Sequence, residues 1–186
     1  MCKKKSFKAA ATIAFCTLSI LSMAVFAKAG QNILTEFRLG VLDHDADNLW
    51  SGFSREGGTD FNGELIFAPH VELWGGKLRP RLGVSVNDSG NTSKVYGGGL
   101  WEYTWLNGLF VDLGLGMAIH DGEKESAEPD VKELGRNLLF HFSLDIGYTF
   151  ATHHRIALMI DHMSNAYTVD PNEGMDTIGL RYGYLF

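Results

Sequence analysis

The chain has 186 residues, enough for one domain, and a formal net charge of −6 at pH 7. Residues 1–29 carry five lysines and no acidic residue, so their removal would leave a net charge of −11. A chain that acidic lacks the basic surface that nucleic-acid binding requires, and both cysteines, Cys2 and Cys16, lie in the same N-terminal segment. The composition therefore excludes a nucleic-acid-binding protein and a mature domain held by disulfides.

Residues 1–29 have the three parts of a secretory signal peptide. Three lysines form a basic start, an apolar run extends through Phe26, and Ala27-Lys28-Ala29 supplies the small residues of a cleavage site. We expect cleavage after Ala29, with Ala27 as the second choice, and a single mature domain over residues 30–186. A retained N-terminal membrane anchor is the alternative. Export without disulfides suits a bacterial envelope protein.

From Leu34 onwards, apolar and polar residues alternate with a period of two, which predicts β-strands. The pattern gives eight segments of roughly ten residues each, joined by alternately long and short connections: Leu34–Leu42, Phe61–Leu73, Leu78–Val86, Val95–Trp105, Leu109–Ile119, Leu138–Phe150, His154–Ser164 and Asp176–Phe186. Pro69 makes the second of these irregular in its later half. Asn107-Gly108 predicts a tight hairpin turn between the fourth and the fifth.

The two faces of these strands differ in character. One face is aliphatic and aromatic, and the other carries glycines and ionisable side chains. The charged members of the second face are Arg38, Glu64, Arg79, Arg81, Glu102, Asp112, Asp145, Arg155 and Arg181. Charges of both signs suit a narrow lumen in which they can pair, and the apolar face would then meet lipid.

No apolar run after Gly30 approaches the roughly 20 residues of a transmembrane helix. A membrane protein built from these strands must be a closed barrel, because lipid offers no partners to an open sheet edge. We therefore predict an all-β fold, an eight-stranded antiparallel transmembrane β-barrel with a side-chain-filled interior. The ending Tyr182-x-Tyr184-x-Phe186 resembles the C-terminal signal of bacterial outer-membrane proteins. A soluble lipocalin-like barrel or sandwich is the alternative.

Three residues with catalytic chemistry fall on the apolar face of the last two predicted strands. The even-numbered residues of His154–Ser164 and of Asp176–Phe186 are mainly apolar, so His162, Ser164 and Asp176 share the lipid-facing side by parity. With the C-terminus in the periplasm, these strand ends lie in the outer-leaflet half of the membrane. Residues two apart on a strand are roughly 6.5 Å apart, and cross-strand Cβ atoms are about 4.5–5.5 Å apart. One imidazole can therefore reach both neighbours.

This placement predicts a catalytic triad on the outer wall of the barrel. Ser164 would be the nucleophile, His162 the general base and then the general acid, and Asp176 the residue that orients the imidazole. Asn165 would offer an amide or backbone N–H to the oxyanion of the tetrahedral intermediate. The alternative is an ordinary polar strand end, because a polar residue near the membrane interface costs only about 0–1 kcal/mol.

Other histidines provide internal comparisons. His141 and Ser143 repeat the His-x-Ser spacing on the sixth predicted strand, but parity turns both into the lumen, where an acyl chain cannot reach. We expect them to pack and to form hydrogen bonds. His153 and His154 lie at a short turn, and we expect them to be solvated and to bind no metal.

The run His162-Met163-Ser164-Asn165-Ala166, followed by Pro171-Asn172-Glu173-Gly174-Met175-Asp176, resembles the signature of a known family. It is similar to that of the lipid A 3-O-deacylases, the PagL-type outer-membrane barrel enzymes. Their pattern is His-x-Ser-Asn and then Asn-x-Gly-x followed by an acidic residue. The spacing matches without a gap, and the rest of the mature chain matches as an eight-strand pattern.

The resemblance implies the same roles as the parity argument: a triad of His162, Ser164 and Asp176, with Asn165 in the oxyanion hole. The family acid is often Glu, so Asp176 is one methylene shorter. The implied reaction hydrolyses the ester that holds the 3-hydroxyacyl chain at position 3 of lipid A, the membrane anchor of lipopolysaccharide. It needs no cofactor, and its site would face the outer leaflet of the bacterial outer membrane.

Two other functions are compatible with the sequence. One is a non-catalytic small barrel that stabilises the envelope or presents its loops as an adhesin. The other is a lipid A acyltransferase, which would share the acyl-enzyme but pass the chain to another lipid. The preferred acyl length, the existence of a homodimer and the role of the loop at residues 121–136 stay open.

Overall fold

The computed structural model describes residues 32–186, so the predicted signal peptide and its cleavage site lie outside the described residues. The described part consists of strands and connecting loops. The strands are β1 (Leu34–Asp43), β2 (Thr59–Phe67), β3 (Val71–Leu73), β4 (Gly76–Asn87), β5 (Lys94–Thr104), β6 (Leu109–His120), β7 (Leu138–Phe150), β8 (His154–Ser164) and β9 (Met175–Leu185). Within this range no helix is long and apolar enough to cross a membrane.

Eight of these strands form a closed antiparallel ring. β1 pairs with β2 on one side and with β9 on the other, and β2 pairs with β4, which closes the order β1-β2-β4-β5-β6-β7-β8-β9. β3 pairs with the start of β4 alone and stands outside the ring. The predicted eight-stranded antiparallel barrel is confirmed.

The second predicted strand is too long. The segment Phe61–Leu73 divides into β2, which ends at Phe67, and the three-residue strand β3. Pro69 lies in the break, where it has no N–H to donate to a neighbouring strand. The other predicted strands end within two residues of the observed ones.

The lumen is filled by paired charges. The nine charged side chains assigned to it from the sequence are buried or half-buried. Arg181 contacts the carboxylates of Glu64 and Asp145, the latter at 3.2 Å, and Arg38 contacts Asp112 at 2.5 Å. Removing one member of a buried ion pair typically costs about 3–5 kcal/mol. Paired charges from several strands thus occupy the interior, and loss of one partner would leave the other buried without its counter-charge.

The outer wall is apolar. Leu115, Ile146, Leu158 and Leu180 each expose about half of their surface or more, and they alternate with inward-pointing residues on their strands. Aliphatic side chains exposed in a continuous belt mark a surface that contacts something other than water.

Candidate active site

His162 and Asp176 face each other across neighbouring strands at one end of the barrel. They are paired residues in the β8–β9 register, and His162 Nδ1 lies 2.6 Å from Asp176 Oδ1. A carboxylate can only accept at this contact, so Nδ1 carries the hydrogen and the lone pair is on Nε2. The strand pairing thus supplies an oriented imidazole with a basic nitrogen.

Ser164 is the last residue of β8 and lies on the same face as His162. Both side chains line one cavity on the outer wall of the barrel. Gly174, just before β9, packs against the pair: a Cβ added there would lie 3.1 Å from His162 Cε1 and 3.6 Å from Ser164 Cβ. Its backbone has φ of 65°, which glycine adopts without strain. The chain therefore needs a glycine at this point of closest approach.

Parity places Asp176 on the outer face of the barrel, where it would be exposed, but the side chain is buried. It lies on the outer side, yet its relative exposure is 0%. The cover is the β1–β2 loop, in which the backbone N–H and the hydroxyl of Ser51 donate to Asp176 Oδ2 at 2.5 and 2.7 Å. Both carboxylate oxygens are thus occupied, one by the imidazole and the other by the loop.

The preceding residue of the same loop covers the imidazole. Trp50 stacks on His162 with ring centroids 4.7 Å apart and planes inclined by 14°. Its ring also meets the ring of Phe142 edge to face at 5.5 Å. Trp50 and Ser51 are not among the site residues that the sequence predicts, because they lie in an irregular, acidic loop far from the His-x-Ser motif in the chain. A tryptophan beside a serine carries no catalytic pattern of its own.

Asn165 holds the loop that follows β8. It is buried, and its side-chain amide donates to the carbonyl oxygens of Pro171 at 2.8 Å and Leu134 at 3.3 Å. Its backbone N–H donates to Asn172 Oδ1 at 2.8 Å. Asn172 lines the cavity, and because its oxygen accepts this bond, its Nδ2 is the group that it can offer as a donor.

The cavity has a volume of about 820 Å³ and a largely aromatic and aliphatic lining. Phe53 from the β1–β2 loop, Leu115 from β6, and Phe140 and Phe142 from β7 belong to it. An apolar pocket with a few converging polar groups is the usual form of a small-molecule site. Here the polar groups include His162 and Ser164, which are paired in the β7–β8 register with the apolar residues Phe142 and Phe140.

A buried histidine anchors the loop that bears Trp50 and Ser51. His44 Nδ1 lies 2.7 Å from Asp60 Oδ1, and Nε2 lies 3.1 Å from Glu56 Oε2. Burial by itself lowers the pKa of His44, but hydrogen bonds to the two carboxylates outweigh it and raise the pKa to about 9. Burial also opposes ionisation of Glu56, but hydrogen bonds from His44 and backbone N–H groups lower its pKa to about 2.

The second His-x-Ser pair lies in the lumen, as predicted. His141 and Ser143 are buried, and Ser143 Oγ accepts a hydrogen bond of 2.6 Å from Arg81 Nη1. His141 Nε2 lies 3.4 Å from Asp161, whose other oxygen contacts Lys94 Nζ at 2.5 Å. This pair belongs to the charge network of the interior.

The remaining histidine pair interacts with aromatic and backbone groups at the β7–β8 turn. His153 Nδ1 donates to the carbonyl oxygen of Leu185 at 2.8 Å, and His154 Nδ1 contacts the hydroxyl of Tyr182 at 2.7 Å. Within residues 32–186, no three His, Cys, Asp or Glu side chains are arranged to hold a metal ion.

Part of this chain matches a known protein family. Residues 63–185 match the model of the family described as "Lipid A 3-O-deacylase (PagL)". The chain belongs to this family. The family is one of ester hydrolases, and the match includes His162, Ser164 and Asp176. The resemblance read from the motif is confirmed, whereas Trp50 and Ser51 lie before the matched residues.

One relative of this deacylase-family chain is distant in sequence. Lipid A deacylase PagL of Bordetella bronchiseptica is 26% identical in an alignment of 117 residues that covers 59% of this chain and 62% of the relative. The aligned part thus spans less than two thirds of that protein.

Two solved structures share the fold of the deacylase-family chain. The outer membrane enzyme PagL has a TM-score of 0.59 at 18% identity, covering 80% of this chain and 99% of the other. The N-terminal β-barrel domain of Pseudomonas aeruginosa OprF has a TM-score of 0.52 at 10% identity, covering 82% and 98%. The barrel therefore resembles those of outer-membrane proteins.

Proposed function

We propose that this protein is an outer-membrane esterase that removes the 3-hydroxyacyl chain from position 3 of lipid A. The observation that carries the proposal is the hydrogen-bonded His162–Asp176 pair on the outer wall, beside Ser164 in an apolar cavity. The family membership supports lipid A as the substrate. A site on the outside of a barrel is useful when the substrate is itself part of the membrane.

Acylation begins at Ser164. Its Oγ attacks the ester carbonyl while Nε2 of His162 takes the hydroxyl proton. Asp176 holds Nδ1–H and stabilises the imidazolium that forms. When the tetrahedral intermediate collapses, the ester C–O bond breaks and the imidazolium protonates the leaving oxygen, which becomes the free 3-hydroxyl of lipid A. The acyl chain is then an ester of Ser164.

Deacylation repeats the sequence with water. His162 removes a proton from water, whose oxygen attacks the acyl-enzyme carbonyl, and the proton passes to Ser164 Oγ as it leaves. The products are a free 3-hydroxy fatty acid and the restored hydroxyl. Every proton is handled by the same imidazole, so this route requires no cofactor or metal ion.

Asn165 is proposed to take part in the oxyanion hole indirectly, and not as the donor itself. Its own donors are engaged within the loop, one of them with Asn172 Oδ1. Asn165 would therefore contribute by aligning Asn172, whose Nδ2 can donate to the oxyanion in the cavity. One such donor is typically worth about 3–4 kcal/mol of transition-state stabilisation.

The barrel orientation follows from the proposed substrate. The site shares its end of the barrel with the two longest loops, which follow β1 and β6, and the short turns that follow β5 and β7 are at the other end. We propose that the site end points to the outer leaflet, where lipid A resides, and that the acyl chain lies against the aromatic surface of the cavity. This puts ester and nucleophile at the same depth without extraction of the lipid.

Mass spectrometry of lipid A tests the proposal. Cells expressing the wild-type chain should lose the mass of one hydroxyacyl group from lipid A, and cells expressing Ser164→Ala should not. Ser143→Ala is the matched control, because it removes the serine of the lumenal His-x-Ser pair and should leave the reaction unchanged.

The alternatives give different results in the same spectra. Unaltered lipid A with a folded wild-type barrel would favour the non-catalytic envelope or adhesin protein. A gain of acyl mass would favour the acyltransferase. Folding of each variant is checked by the heat-dependent shift of intact barrels in gel electrophoresis.

A further inference from the structure

The β1–β2 loop, residues 44–58, reaches the acid–imidazole pair from a distant part of the sequence. Ser51 makes two hydrogen bonds to Asp176 Oδ2, through its backbone N–H at 2.5 Å and its hydroxyl at 2.7 Å. These donors and His162 together occupy both oxygens of a carboxylate that is completely shielded from solvent. A carboxylate held from both sides cannot rotate away from the imidazole.

We propose that Ser51 is a positioning residue of the hydrolase, acting on the nucleophile through Asp176 and His162. This inference rests on the proposed triad and extends it to a fourth residue. Ser51 is in the lining of the cavity, and both of its hydrogen bonds at the site go to Asp176. Its role is to fix the carboxylate, and hence the imidazole, in the geometry from which Nε2 can accept the serine proton.

The loop is built to deliver Ser51 to this place. The backbone N–H of Ala46 donates to the carbonyl oxygen of Asp176 at 2.8 Å, so the loop is attached to β9 before it reaches the site. Further along, Asp45 Oδ2 accepts the backbone N–H groups of Arg55 at 2.6 Å and Glu56 at 3.0 Å, which closes the loop on itself.

A second contact links the loop to the long loop between β6 and β7. Lys132 Nζ donates to the carbonyl oxygen of Phe53 at 2.6 Å, and Glu56 Oε1 accepts the backbone N–H of Lys132 at 3.0 Å. Trp50, next to Ser51, stacks on the ring of His162. Two consecutive residues, Trp50 and Ser51, therefore restrain His162 and Asp176 together. This paired arrangement argues for a positioning role.

The hydroxyl is the part of Ser51 that mutation can remove. Ser51→Ala loses the bond at 2.7 Å and keeps the backbone donor, so we expect a decrease of about tenfold in the activation of Ser164. Ser51→Thr keeps a hydroxyl and should restore most of the activity. Because the loss acts on catalysis and not on substrate binding, kcat for lipid A should fall while KM changes by less than about twofold.

A fluorophosphonate probe measures nucleophile activation without lipid A. Ser164 Oγ bonds to phosphorus, fluoride leaves, and His162 takes the hydroxyl proton, so the labelling rate, read by intact-protein mass, reports the state of the triad. We would compare the wild type with Ser51→Ala, Ser51→Thr, Asp176→Ala and the Ser51→Ala/Asp176→Ala double variant. Ser54→Ala is the matched control, since its hydroxyl in the same loop donates to the carbonyl oxygen of Glu56.

A positioning role predicts slower labelling of Ser51→Ala, recovery in Ser51→Thr, no change in Ser54→Ala, and no additional loss in the double variant beyond Asp176→Ala. Wild-type labelling rates in Ser51→Ala, or full additivity in the double variant, would overturn the inference while leaving the triad intact. Labelling that depends on Ser51 without any change in lipid A would overturn the proposed substrate instead. No labelling of Ser164 in the folded wild type would count against both.

Discussion

Two His-x-Ser pairs lie beside each other in the wall of this barrel and point in opposite directions. His141 and Ser143 on β7 face the lumen, whereas His162 and Ser164 on the adjoining β8 face outwards. The first pair is enclosed among charges, and the second meets a carboxylate, an aromatic cover and an apolar cavity. Identical residue types at identical spacing therefore differ in chemistry because a strand turns alternate residues to opposite sides.

The largest difference in activity between the two pairs is expected when His162 and His141 are each replaced. His162→Ala removes the proposed base, and kcat/KM for lipid A should fall by at least about 1000-fold in a folded barrel. His141→Gln keeps a polar side chain near Arg81 and Asp161, so the specific activity of the folded protein should be retained. Equal loss of activity in both variants would contradict the assignment of a catalytic role to the outer pair alone.

Removing Asp161 tests the structural role of the lumenal pair. Asp161→Ala leaves Lys94 and His141 buried without their carboxylate, which typically costs about 3–5 kcal/mol in the free energy of unfolding. Urea titration in lipid, followed by tryptophan fluorescence, measures this value. Asp88→Ala, at an exposed loop, should cost much less. Unchanged stability of Asp161→Ala would mean that the lumenal network does not support the wall.

The sequence was sufficient to predict the wall but not the loop that covers the site. The period of two gave the strands, and parity placed His162 and Ser164 outside and His141 inside, because each strand repeats a simple geometric rule. Residues 44–58 follow no such rule, and the contact of Ser51 with Asp176 joins positions 125 residues apart. The complete burial of Asp176 depends on that loop, and so does the role of Ser51.

The contacts of residues in irregular segments were also not predictable from the sequence. The motif includes Gly174, but nothing in the sequence shows that its backbone packs against both the imidazole and the serine. The position of Asn165 after the nucleophile predicts an oxyanion role, yet its amide donates to carbonyl oxygens that only the folded loop brings near. Side-chain partners within irregular segments follow from tertiary packing, which periodicity does not encode.

Gly174 packs against the outer His-x-Ser pair, and its replacement should have a smaller effect on activity than loss of His162. Gly174→Ala adds a Cβ 3.1 Å from His162 Cε1 at a positive φ, so kcat/KM should fall by about 10–100-fold through displacement of the imidazole. Gly90→Ala is matched for positive φ but has no atom within 4 Å of the added carbon. It should lose some stability and keep its specific activity. Equal activity of the two variants would show that Gly174 serves only the turn.

The smallest expected effect is a pH dependence in the stability of residues 44–58, the loop that covers the outer pair. The raised pKa of His44 means that its contribution to stability is complete below pH 6.5 and is lost as the pH rises through about 9. The lowered pKa of Glu56 gives a contribution present above pH 4.5 and lost as the pH falls through about 2.

Hydrogen exchange of residues 44–58, corrected for intrinsic rates, should therefore show less protection at pH 10 than at pH 6. His44→Gln should remove most of this difference. Protection that stays constant in the wild type across this range would contradict the proposed anchoring by a charged His44.

The most direct test of the outer site is the location of the acyl group during turnover. Lipid A is mixed with the folded protein, the reaction is stopped by acid, and peptides are mapped by mass spectrometry. The hydroxyacyl adduct should be on the peptide that contains Ser164 and should be absent from Ser164→Ala. An adduct on Ser143, or undiminished release of hydroxy fatty acid by Ser164→Ala, would contradict the assignment.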